Sequence, residues 1–110
     1  MSYDSVDTLR GYEEKAARFA KYATGTALEY NALKLASEAG EVAGKVAKYV
    51  GHGKSFSRSG LAMELGDVLW HLTMLAHEIG YSIHGVANMN LDKLSGRQAR
   101  GTIVGDGDDR

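Results

Sequence analysis

The chain has 110 residues, carries a formal net charge of −1, and contains neither cysteine nor proline. This length fits a single domain with a modest core, and the lack of cysteine excludes disulfides, thiolate metal sites and cysteine nucleophiles. A net charge this small provides no general basic field, so we do not expect duplex nucleic acid as a partner.

Apolar residues recur at spacings of three and four up to about residue 97, which predicts an all-α domain. We expect this domain to span residues 1–100, and residues 101–110, rich in glycine and aspartate, to form a flexible tail. The pattern and its capping residues predict four helices: Thr8–Ala23 with Asp7 as N-cap, Ala27–Val50, a third from a cap at Ser57 or Ser59 to Ile79, and a fourth from the cap Ser82 to Arg97.

Two short acidic motifs lie in the second and third predicted helices. In each, two acids stand three residues apart with glycine before the second acid: Glu38-Ala39-Gly40-Glu41 and Glu64-Leu65-Gly66-Asp67. Acids at i and i+3 share one helix face, so each motif presents two carboxylates side by side. Both motifs flank the apolar stripe of their helix in the same sense. Antiparallel packing through these stripes would therefore bring all four carboxylates to one rim.

Four clustered carboxylates would repel one another unless a cation neutralised them. Carboxylate oxygens suit hard divalent cations, so we interpret the motifs as a Mg²⁺ site that holds a phosphate substrate. The alternative is a solvated, salt-bridged helix face, which is common where Glu and Lys alternate, as in the second helix. The third helix favours the metal interpretation, because Glu64 and Asp67 lie in an apolar run without a neighbouring Lys or Arg.

Two glycines inside the acidic motifs need an explanation. Gly40 and Gly66 each cost about 1 kcal/mol relative to alanine in a helix interior. We expect close approach of a third helix to offset this cost.

With these motifs the chain resembles the MazG-like nucleoside triphosphate pyrophosphohydrolases, an all-α group related to dimeric dUTPases and phosphoribosyl-ATP pyrophosphohydrolases. The family pattern is ExxE followed after a spacer by ExxD, and Gly66-Asp67-Val68-Leu69-Trp70 is similar to its second motif. Asn90-Leu91-Asp92-Lys93-Leu94, with Arg97, resembles the family's Asn and Lys on the following helix. The resemblance implies a fold like a four-helix bundle that assembles into a dimer or tetramer.

The resemblance also implies an activity, the hydrolysis of an NTP or dNTP between the α and β phosphates to give the monophosphate and pyrophosphate. Glu38, Glu41, Glu64 and Asp67 are the implied catalytic and metal-binding residues, with Mg²⁺ or, in its place, Mn²⁺ as the cofactor. Either Glu38 or Glu41 can instead orient the attacking water as a general base.

Four further residues are candidates for substrate binding. Lys45 lies one turn beyond Glu41, where it can reach phosphate or pair with that acid. Lys93 and Arg97 lie four residues apart on one helical face and can clamp a polyphosphate. Asn90, one turn before Lys93, can contact sugar or phosphate, a role that only the family resemblance supports.

Two alternatives stay open from the sequence. In the first, the chain is a related dUTPase-like or phosphoribosyl-ATP pyrophosphohydrolase. In the second, it is a non-catalytic helical interaction module whose acidic rim binds a partner. The chain shows no apolar signal-peptide core and no uninterrupted apolar window approaching about 18 residues. We therefore expect no membrane association and a cytoplasmic location, in the host cytoplasm if the protein is phage-encoded.

Overall fold

The computed structural model describes residues 5–23, 25–52 and 57–101. These residues form helices and no strands, which confirms the all-α prediction. The predicted tail, apart from Gly101, lies outside the described residues. The helices are α1 (Leu9–Ala16), followed by a short 3-10 turn (Ala17–Phe19), α2 (Ala27–His52), α3 (Arg58–Glu78) and α4 (Ile83–Arg100).

Three of the helices begin with the same local motif, a Ser or Thr followed three residues later by Gly. In each case the side-chain oxygen accepts a hydrogen bond of 2.9–3.0 Å from the glycine N–H. A Cβ at the glycine would lie only 3.1–3.2 Å from the capping oxygen, so glycine leaves room for the cap. The pairs are Thr8 with Gly11, Ser57 with Gly60, and Ser82 with Gly85.

The first helix differs from the prediction at both ends. Thr8 is the N-cap instead of Asp7, because the threonine hydroxyl accepts a hydrogen bond from the Gly11 N–H in the first turn. The α-helix ends at Ala16, well before Ala23. There the Ala16 carbonyl accepts a 3.1 Å hydrogen bond from the indole N–H of Trp70 on α3, a tertiary contact that no local pattern predicts.

The other helix boundaries lie within three residues of the predicted ones. α2 continues through His52, and α4 continues to Arg100, where Gly101 adopts a left-handed conformation with φ of 72°. α3 ends at Glu78, close to Gly80, as the helix-terminating role of that glycine predicts. Gly80 has φ of 86°, and the next N–H, of Tyr81, bonds back to the helix carbonyl of Ala76 at 3.0 Å.

α2 and α3 form the principal helix pair, and α4 packs against α1 and α3. The pair is antiparallel, as predicted: Lys45 of α2 meets Glu64 of α3, whereas the earlier Asn31 meets the later His71. None of the described helices is long and apolar enough to cross a membrane.

The core of the single chain is small. Within the described residues, four hydrophobic side chains are buried: Ala16, Met74, Ala76 and Ile83. Parts of the apolar stripes that we expected to be covered remain open, including Val50 at 73 % exposure and Leu65 at 52 %. The expected helix approach at the acidic motifs is also not made among the described residues, because a Cβ on Gly40 or Gly66 would meet none of their atoms within 4 Å.

Candidate active site

Carboxylates from α2 and α3 meet at one rim of this helix pair. Glu38, Glu41 and Glu64 each offer an oxygen atom, and these atoms all lie within 4.8 Å of one another. The spacing of three residues puts Glu38 and Glu41 on one face of α2, and antiparallel packing brings Glu64 of α3 beside them. We call these three residues the carboxylate cluster.

Lysines contact the two less exposed members of the cluster. Glu38 lies 3.6 Å from Lys34 within α2, and Glu64 lies 3.6 Å from Lys45 across the helix pair. Lys45 therefore meets the acid of the opposite helix, Glu64, and not Glu41, which was one of the two partners that its spacing allowed. Both contacts are partly exposed, so they offset only part of the repulsion in the cluster.

The neighbouring carboxylates raise the pKa of Glu41, and Glu64 has a carboxylate oxygen without a hydrogen-bond donor in the described part of the chain. A hydrogen bond to Glu64 raises the pKa of the exposed Glu41 carboxyl, and the charges of Glu38 and Glu64 raise it further. The Oε2 atom of Glu64 is buried and has no hydrogen-bond partner among the described groups. A buried carboxylate oxygen without a donor, beside two more carboxylates, fits a hard divalent cation such as Mg²⁺.

Asp67, the fourth predicted ligand, is not part of this cluster. It lies one turn after Glu64 on α3, with an exposed side chain. The charge of Asp67 acts on two neighbouring groups. The pKa of the Tyr12 hydroxyl on α1 is raised, mainly by burial and further by Asp67. Asp67 also favours the charged form of His71. Tyr12, which the sequence analysis missed, therefore stands near the acidic rim.

A cavity of about 380 Å³ adjoins the cluster and is lined by Glu41, Gly44, Lys45, Lys48 and Glu64. It combines two carboxylates with two ammonium groups, which suits a cation together with the phosphates it binds. Lys48 is absent from the predicted site, although its position three residues after Lys45 on the same helix face was a usable signal.

The α4 candidates lie elsewhere in the single chain. Asn90 and Lys93 line a second cavity of about 390 Å³, which shares no lining residue with the first. Its other walls are apolar or aromatic. Arg97 is buried, with 5 % of its surface exposed. The structure thus brings Glu38, Glu41, Glu64 and Lys45 together, whereas Asn90 and Lys93 line a different cavity.

A buried polar pair lies between α2 and α3 near the cluster. His71 Nδ1 is 3.0 Å from Asn31 Oδ1, and the exposed fractions of these residues are 7 % and 0 %. Burial lowers the pKa of His71, Glu38 and Asp67 favour its charged form, and Lys34 opposes it. Spacing places His71 on the acidic face of α3, but its pairing with Asn31 depends on the register of two helices.

An all-helical domain with clustered carboxylates on its central helix pair has an arrangement that suits a bound divalent cation. The profile of the MazG nucleotide pyrophosphohydrolase domain matches residues 27–101, and the chain belongs to this family. The range includes α2, α3 and α4, and thus both acidic motifs. The family supports a nucleotide pyrophosphohydrolase activity for the chain.

Among known proteins, the Gene 37 protein of Mycobacterium phage L5 is 40 % identical over 87 residues, covering 76 % of this chain and 76 % of that protein. No solved structure matches the chain.

Proposed function

We propose that the protein is a Mg²⁺-dependent nucleoside triphosphate pyrophosphohydrolase that cleaves an NTP or dNTP between the α and β phosphates. The observation that carries this proposal is the carboxylate cluster, with its buried and donor-free Glu64 oxygen, inside a MazG domain. In the reaction, a water oxygen attacks the α phosphorus and the bond to the α–β bridging oxygen breaks. The products are the nucleoside monophosphate and pyrophosphate.

Glu38, Glu41, Glu64 and Asp67 are the proposed catalytic and metal-binding residues. Bound Mg²⁺, or Mn²⁺ in its place, would neutralise phosphate charge and acidify a bound water. Glu38 or Glu41 takes the proton of the attacking water, and the raised pKa of Glu41 makes its carboxylate a stronger base than an ordinary glutamate. Asp67 joins the set through the family motif and its place one turn after Glu64.

The proposed substrate contacts come from two places. Lys45 and Lys48 line the cavity beside the cluster, where their ammonium groups can pair with phosphate oxygens. Asn90 and Lys93 line the second cavity, whose apolar walls suit a base or sugar. Arg97 is included on the family resemblance alone, because the chain buries it.

We further propose that the protein self-associates, as a dimer or tetramer, and acts in the cytoplasm of the cell that makes it. Sixteen large hydrophobic side chains are exposed in the described part of the chain, which supports association. The phage relative and the nucleotide substrate support the host cytoplasm as the location.

The direct test is pyrophosphate release from a panel of NTPs and dNTPs, measured with Mg²⁺, with Mn²⁺ and with a chelator. We expect turnover only with a divalent cation, and loss of at least about 100-fold in Glu64→Gln and Asp67→Asn. Glu78→Gln is the matched control, since Glu78 is an exposed acid on the same helix and outside the cluster.

Full activity in Asp67→Asn would remove that residue from the site. Turnover of dUTP or phosphoribosyl-ATP alone would assign the chain to one of the related hydrolases. Absence of turnover with every nucleotide, in a folded protein, would favour the helical interaction module.

A further inference from the structure

The orientation of the buried Asn31 side chain is determined by its own helix. Its Nδ2 atom donates a 2.8 Å hydrogen bond to the backbone carbonyl of Ala27, one turn earlier in α2. A carbonyl can only accept, so the amide nitrogen must face Ala27 and the amide oxygen must face α3. That oxygen is the atom 3.0 Å from His71 Nδ1.

This contact determines the tautomer of His71. Oδ1 of an amide carries no proton, so His71 Nδ1 must be the donor. In the described part of the chain the ring has no second hydrogen bond, and it is enclosed edge-on by Trp70 at 4.9 Å and Tyr30 at 5.9 Å between ring centroids. In the neutral ring, Nε2 is therefore an unprotonated acceptor.

His71 stands next to the charges of the proposed site without an ion pair to any of them. It follows Glu64 by two helical turns and Asp67 by one, on the same face of α3. The charged groups that act on it from the two helices are Glu38, Lys34 and Asp67. A protonated ring at this position would attract the same carboxylates that a divalent cation needs.

We propose that Asn31 is a positioning residue that keeps His71 as the uncharged Nδ1–H tautomer beside the carboxylates, so that the imidazole does not compete with the bound cation. The inference rests on the proposed metal-dependent function. An amide suits this task because it accepts a hydrogen bond from Nδ1–H without adding negative charge. A carboxylate in its place would stabilise the imidazolium.

The decisive variant is Asn31→Asp, which has nearly the same shape and can still accept from Nδ1, although it gives up the hydrogen bond to the Ala27 carbonyl. We expect it to raise the pKa of His71 and leave the ring charged at neutral pH. Mg²⁺ or Mn²⁺ affinity at pH 7, measured by calorimetry without nucleotide, should then fall by about 10-fold relative to the double variant Asn31→Asp with His71→Asn. The double variant is the matched control because it keeps the added carboxylate and removes the titrating ring.

Nitrogen-15 spectra of the histidine rings test the tautomer directly, in wild-type protein without metal. The chain has four histidines, and the signal lost in His71→Asn identifies the one of interest. His71→Asn retains a side-chain N–H that can reach Asn31, so it should fold and bind the cation within about twofold of wild type at pH 7. These two measurements apply even if Asn31→Asp does not fold.

An Nδ1–H signal in wild type, together with weaker cation binding in Asn31→Asp that the double variant reverses, would support the proposal. An Nε2–H tautomer, or an Asn31→Asp protein with a charged ring and unchanged cation affinity, would overturn it. If wild type binds no cation at all, the metal-dependent function fails instead, and the ring spectra still report on the Asn31–His71 pair.

Discussion

Glu41 experiences the carboxylate cluster most directly, because its pKa is raised by both of its acidic neighbours, Glu64 and Glu38. The folded chain therefore holds a proton on Glu41 more tightly than the unfolded chain does. Below pH 4.5, the ordinary pKa of glutamate, Glu41 is protonated and this repulsion is absent. As pH rises through the raised pKa of the folded chain, Glu41 becomes charged and the repulsion destabilises the metal-free fold. A cation bound at the cluster would remove this penalty.

Glu41→Gln should accordingly have opposite effects on stability and on turnover. In chelator at pH 8 we expect a higher melting temperature than wild type, because one repelling charge is gone. Addition of Mg²⁺ should raise the melting temperature of wild type, more at pH 8 than at pH 5, and should leave the variant unchanged. Pyrophosphate release by the variant should be lost.

Thermal melting by circular dichroism at both pH values is the measurement. Glu29→Gln, at an exposed position in the first turn of α2, is the control and should respond to Mg²⁺ like wild type. A Mg²⁺-dependent shift that survives in Glu41→Gln would place the ion elsewhere.

Local chemistry predicted most of the helices, and tertiary contacts account for where prediction failed. Ser57, Ser82 and Gly80 mark helix ends through side-chain caps and a left-handed glycine, which depend on neighbours in sequence. At the early end of α1, Ala16 is hydrogen-bonded to Trp70, which lies 54 residues away in the sequence. No pattern within α1 contains that information.

The candidate site was also predictable only in part. The acids converge because helical spacing and antiparallel packing suffice to bring Glu38 and Glu64 to one rim. The cross-helix pair of Lys45 with Glu64 and the buried pair of Asn31 with His71 depend on the register of α2 against α3. Register is set by packing of the whole interface, so the sequence pattern alone does not determine these partners.

The start of α4 is held by α1, and this contact gives a prediction for an element. Glu13 accepts a 2.7 Å hydrogen bond from the backbone N–H of the buried Ile83. Glu13→Ala would leave that N–H without its acceptor, so the free energy of unfolding should fall by about 1–3 kcal/mol. Urea denaturation measures the change, with the exposed neighbour Glu14→Ala as control; equal stability of the two variants would contradict it.

The glycines of the acidic motifs give a second prediction at this scale. Because a Cβ on Gly40 or Gly66 meets nothing within 4 Å, alanine should fit at either position. Each substitution should raise the free energy of unfolding by about 1 kcal/mol through helix propensity. Urea denaturation measures this change as well. A loss of stability would contradict the open space at that glycine.

As a whole molecule, the chain covers few of its apolar groups. Four hydrophobic side chains are buried in the described residues, whereas exposed ones include Leu33 at 72 % and Met63 at 75 %. Isolated exposed apolar residues are ordinary, but so many beside so small a core are typical of a subunit. The open faces of α2 and α3 are consistent with the proposed assembly.

Sedimentation equilibrium at micromolar concentration should therefore give a mass of at least twice the 11.8 kDa of one chain. Because burial of apolar surface drives association, we expect the assembly to persist in high salt. Urea unfolding should also depend on protein concentration. A species of 11.8 kDa at every concentration would refute self-association.

Trp70 is the one tryptophan of the chain, and its indole N–H is bonded to the last residue of α1. Its ring also lies edge-on to His71, with centroids 4.9 Å apart. Tryptophan fluorescence, excited at wavelengths where the six tyrosines do not absorb, therefore has a single origin that senses the docking of α1 on one side and the imidazole on the other. Emission wavelength and intensity can thus follow the acidic rim in real time, in unlabelled protein, while cation or nucleotide is added.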